Sequence, residues 1–116
     1  MDLPPEIPRE LQTLGVSLEG LGLPGVAFSH EDAKKVLTSL EHTTIAVCGG
    51  EVFVSERWGL VPLLETWGCD RFRGESVHDY ALRSRERARE FIDECAPERR
   101  DRLFFGLEFS AQDDAA

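Results

Sequence analysis

The apolar positions along the chain alternate between helical and strand spacing, and each change of spacing marks an element. From residue 29 they recur at helical intervals: Ala33, Val36, Leu37 and Leu40 make one stripe. Ser29 stands before it as an N-cap, and Asp32 fills the third helical position of a capping-box-like pattern. His42 and Thr43 end this helix. Ile45, Val47, Val52 and Val54 then favour strand. Gly49-Gly50 interrupts them, either as a tight hairpin turn or as a bulge within one bent strand. "RWG" at 57–59 makes a turn and "LVPLLETW" resumes strand character, with Pro62 favouring an edge position or the strand's start. Helical spacing returns after Ser76, again with an acid, Asp79, at the capping-box position. Val77, Tyr80, Ala81, Ser84, Ala88, Phe91, Ile92 and Cys95 trace one stripe. Arginines and glutamates fill the rest, with pairs such as Glu86 and Arg89 one turn apart, until Pro97 stops the helix. "RLFFGLEFS" is strand again.

The two ends are less regular. "PPEIPRELQTLG" predicts one short helix with Gly15 just past its end. "VSLEGLGLPGVAFS" carries too many glycines for a stable element. Residues 1–28 therefore read as an irregular N-terminal segment, packed through Leu18, Leu21, Leu23 and Phe28. The tail, 111–116, is expected to fray. The whole predicts an α+β fold over residues 1–116, in one domain. An antiparallel meander of three or four strands carries a long helix and a shorter helix packed against it.

Charge narrows the partners. The net charge is −9, from 13 basic and 22 acidic residues. Such a surface is repelled by phosphate backbones and anionic lipids, so neither nucleic acid nor membrane is expected as a partner. A basic protein is favoured. No apolar run approaches the roughly 18–20 residues that span a bilayer. The start, "MDLPPEIPRE", lacks the basic end and apolar run of a signal peptide, so the chain reads as cytoplasmic. Cys48, Cys69 and Cys95 are odd in number and irregular in spacing, which is no disulfide framework.

Candidate chemistry is sparse. A thiol-dependent enzyme using Cys69 or Cys95 is the alternative to a binding role. It needs a base and an orienting group, and no local signature surrounds either cysteine or joins it to His30, His42 or His78. Cys48, Cys69, His78 and Cys95 make a possible zinc set on paper, but structural zinc sites use closely paired ligands and these are spread along the chain. Gly49-Gly50 leads into strand and Glu51 rather than into a helix with a lysine, which argues against a phosphate cradle. "RSRERARE" balances its bases with acids and reads as a solvated helix face. No catalytic set, metal or cofactor is expected. What remains is a group of acids and tryptophans on the strands and their turns. Glu51, Glu56, Glu65 and Asp70 suit a partner's lysines and arginines. Trp67 reads as a core anchor, whereas Trp58, in a turn, fits a binding role equally well.

"VCGGEVFV", then "ETWGCD", then "ESVHDYALRSRERAREFI" together resemble the immunity protein 40 family of bacterial polymorphic toxin systems. The matching residues are Gly49, Gly50, Val52, Phe53, Trp67, Cys69, Ser76, Tyr80, Ser84, Ala88, Phe91 and Ile92. The resemblance covers about positions 45–93. Glu51 stands where the family pattern has Asp, and Gly68 where it has Tyr. The resemblance implies a protein that binds and neutralises a toxin encoded beside it, without chemistry of its own. An edge strand such as 61–67 or 103–109 could pair with a second copy, so a monomer or a weak homodimer is expected. Glu51, Glu56, Trp58, Glu65 and Asp70 are the residues expected to meet that toxin.

Overall fold

A computed structural model describes residues 3–111. The elements are α1 (Arg9–Gln12), β1 (Val16–Ser17), β2 (Val26–Ser29), α2 (His30–Ser39), β3 (Ile45–Glu56), β4 (Gly59–Gly68), α3 (Val77–Glu94) and β5 (Leu103–Ala111). Short 3-10 turns at Glu19–Leu21 and Pro97–Arg102 complete the path. The class is α+β as the spacing predicts, and both helix caps form. Ser29 Oγ accepts the Asp32 N–H, and Ser76 Oγ accepts the Asp79 N–H.

The strands are all antiparallel and lie in the order β1-β2-β5-β3-β4. This corrects the expected meander and adds strands to it. The 18 residues of α3 make a rod of about 27 Å, long enough to carry the chain back across the sheet. The last strand therefore pairs with β3 on its free side rather than extending the sheet beyond β4. The segment expected to be irregular also supplies two strands. β2 is held by β5, through Ala27 opposite Gly106 and Phe28 opposite Phe105, and β1 is held by β2. A partner strand from the far end of the chain overrides the local glycine content, and Gly22 and Gly25 take the positive φ of the turn between them. Of the tail expected to fray, Ala111 ends β5 and residues 112–116 lie outside the described residues.

One face of the sheet is closed. Val36 and Leu37 of α2 and Ala88 and Ile92 of α3 pack there on Val47, Val52, Leu103 and Phe105. β3 runs unbroken through Gly49-Gly50, which excludes the hairpin turn, and the bulge falls on the residue before them, Cys48, where the register against β5 slips between Val47 and Gly49. The buried Ser84 Oγ takes the Val47 N–H at 3.0 Å. Gly50 lies under Trp67: a Cβ there would sit 2.6 Å from Trp67 Nε1 and 2.7 Å from the Gly106 carbonyl, so no side chain fits. Arg85 is also buried. It donates to the carbonyls of Thr43 and Ile45 at 3.0 Å each and to that of Glu41 at 3.3 Å, which pins α3 to the α2–β3 connection.

Candidate partner-binding site

With the helices on one face, any broad binding surface of the sheet lies on the other. That face is covered only in part. Leu18 and Leu23 lie over Ala27, Phe53, Leu60 and Phe104 and make a small second core. Beyond this cover a groove of about 240 Å³ opens between the 18–25 segment and the sheet. Glu51 of β3 and Glu108 of β5 both line it. Each is opposed across the ladder by a glycine, Glu51 by Gly106 and Glu108 by Gly49. The glycines leave the depression in which the carboxylates stand. The Glu108 carboxylate lies 3.5 Å from where a Gly49 Cβ would be. Among the described residues neither acid forms an ion pair. Elsewhere Glu56 pairs with Arg102 at 2.8 Å, Glu75 with Arg83 at 2.8 Å and Asp93 with Lys34 at 2.9 Å.

The five residues singled out from the sequence do not form one patch. Glu51 is half-buried on the open face. Glu56 ends β3 and is taken by Arg102. Trp58 stands at the β3–β4 turn and is 78% exposed. Glu65 points to the helix side, where its Oε2 accepts the Cys95 thiol at 3.2 Å. Asp70 is exposed just past β4. Trp58 and Asp70 are thus separated by the ten residues of β4, about 30 Å of strand. Trp67 is half-buried, with its ring 5.8 Å from Phe91. Glu108 and the groove walls did not stand out in the sequence. Period-two alternation along "LFFGLEFS" does put Gly106 and Glu108 on one face, but nothing local says which strand stands beside them.

The stretch between β4 and α3 is organised around Arg83. Its Nε and Nη2 donate to the two carboxylate oxygens of Glu75 at 2.8 Å each, Nη2 to the Asp70 carbonyl at 2.6 Å, and Nη1 to Cys69 Sγ at 3.1 Å. The guanidinium also stacks 3.8 Å over the exposed Phe72 ring. Arg83 is committed here and is not a free cation on the helix. Its hydrogen bonds, helped by the Phe72 N–H, hold the Glu75 carboxyl down at about 2 from an ordinary 4.5. The folded state therefore binds this proton more weakly than the unfolded chain does. The stabilisation from Glu75 is complete above pH 4.5 and drains away as pH falls towards 2. Glu75→Gln is expected to flatten that part of the stability–pH curve, which urea titrations at stepped pH will read.

Two of the three thiols, Cys48 and Cys95, are poorly disposed to attack. Burial first, and then the Glu65 carboxylate, pushes Cys95 up to about 11. Burial, with the charge of Glu108 next, also raises Cys48. A nucleophilic cysteine needs the opposite shift. Cys69 is buried against Ala46 and Tyr80, and His30 bonds Asp93 rather than a thiol. Among the described residues, no three His, Cys, Asp or Glu side chains are grouped to hold a metal ion, and no helix is long and apolar enough to cross a membrane.

The sequence model of immunity protein 40 matches residues 17–109. The chain belongs to that family. The match extends well beyond positions 45–93 and takes in the second residue of β1, all of β2 and the 18–25 cover, and β5 as far as Phe109. Family membership gives the chain an immunity role, with a cognate toxin as its partner. Neither the curated proteins nor the solved structures hold a match to it.

Proposed function

We propose that this protein neutralises its cognate toxin domain by occlusion, gripping it with the open face of the sheet and performing no catalysis. The observation that carries this reading is the pair of carboxylates, Glu51 and Glu108, without an ion pair among the described residues, in a groove most of whose lining lies within the family match. An acidic protein with unneutralised acids on its uncovered face suits a basic partner. Trp58 and Asp70 extend the contact towards the two ends of β4, and Glu56 contributes at its margin, whereas Glu65, turned to the helix side, stands apart from it. The protein acts in the cytoplasm as a single domain, without metal or cofactor. It is a monomer or a weak homodimer: the edge strand β4 carries Pro62 and a break in register opposite Glu51 and Phe53, both of which discourage pairing with another edge.

Growth rescue tests the proposal. The toxin domain encoded beside this gene, expressed alone, should arrest growth, and co-expression of this protein should restore it. Purified protein should inhibit the toxin at one-to-one stoichiometry with no turnover. Absence of rescue by a folded, expressed protein sinks the reading.

A further inference from the structure

The groove on the open face has features that a flat acidic surface lacks. Its walls are apolar, made by Leu18, Leu23, Pro24 and Phe53. Its volume of about 240 Å³ falls below the roughly 300–1,000 Å³ of small-molecule pockets and suits one long side chain. Glu51 and Glu108 are diagonal neighbours on paired strands, because Glu51 faces Gly106 and Glu108 lies two residues further along β5. Diagonal positions stand about 7–8 Å apart, so two like charges stand near one another in the groove, and among the described residues neither has an ion-pair partner. A planar guanidinium carries five donors in a fixed fork and can bridge two carboxylates, and its aliphatic stem would lie against the apolar walls.

We infer that the groove is a socket for a single arginine side chain of the toxin, bridged between Glu51 and Glu108. This rests on the immunity reading above and names the chemistry of its central contact. A desolvated arginine held by two carboxylates has the character of an interface hot spot. Cys48 lines the same groove and is half-exposed, whereas Cys69 and Cys95 are buried. Its thiol is therefore a native reporter of whether the socket is filled.

The test uses the full chain and the catalytically inactivated toxin domain encoded beside it. Glu51→Gln and Glu108→Gln keep size and remove charge. The double variant should bind at least about thirtyfold more weakly than wild type, mainly through faster dissociation, with its melting temperature nearly unchanged. Maleimide labelling of Cys48 at pH 8.5 should slow at least about tenfold in the complex, as burial of the thiol requires. On the toxin side, one Arg→Ala substitution should match the loss of the double variant and add little to it. Binding by the double variant within twofold of wild type, or labelling of Cys48 at the free rate in the complex, overturns the socket while leaving the immunity reading intact. Failure of wild type to bind the toxin at all overturns both.

Discussion

Arg85→Ala is expected to lower folding stability by about 1–3 kcal/mol, the range for leaving buried acceptors unsatisfied. Arg85 is 5% exposed and satisfies three backbone carbonyls, those of Glu41, Thr43 and Ile45. Those carbonyls lie in the connection after α2 and at the first residue of β3, so the guanidinium substitutes for regular pairing where the chain turns into the sheet. Its removal leaves a cavity and orphans the buried Ile45 carbonyl, which water reaches poorly. Arg85→Lys should recover only part of the loss, because an ammonium cannot reach three divergent carbonyls as a fork does. Urea unfolding followed by tryptophan fluorescence will measure both. A loss under about 1 kcal/mol for the alanine variant would mean that the α2–β3 connection is held by its own turns.

Glu51→Lys should weaken toxin binding by about 2–5 kcal/mol while leaving the fold intact. The side chain has no ion pair among the described residues, so reversing its charge breaks no internal contact. The new lysine also faces Glu108 diagonally, which is a favourable pairing. The loss therefore appears only when the partner brings its own cation. Calorimetric titration with the inactivated toxin domain gives the affinity, and a thermal melt of the free variant gives the control. Equal binding by Glu51→Lys would remove the open face from the interface.

Much of this fold is written in local spacing. Both long helices, their serine caps and the β3–β4 pairing across the turn at residues 57–59 follow from periodicity and turn chemistry. What local spacing does not hold is the return of β5 between β2 and β3, since that depends on where α3 sets the chain down. The two short strands near the N-terminus were hidden for the same reason: they exist because β5 comes to lie beside β2. The site shares this limit. Glu51 could be picked out as an acid on a strand, but its relation to Glu108 is created by pairing across more than 50 residues of chain. Glu65 shows the reverse case. It looked like a surface acid, and the alternation of β4 turns it to the helix side, against Cys95. Gly49-Gly50 could be narrowed from sequence to two alternatives, and the choice between them lies in the pairing of β3 with two neighbours, which carries the strand through both glycines and puts the bulge at Cys48.

Carboxyl footprinting of the free protein and of its complex with the inactivated toxin domain tests the central claim most directly. A water-soluble carbodiimide with an amine label modifies exposed Asp and Glu side chains, and mass spectrometry reads each site. Glu51 and Glu108 line the open-face groove, whereas Glu86 and Glu90 are exposed on α3, on the opposite side of the molecule. Occlusion through the open face predicts that Glu51 and Glu108 lose their labelling in the complex while Glu86 and Glu90 keep theirs. Protection of Glu86 and Glu90, with Glu51 and Glu108 labelled as in the free protein, would contradict it.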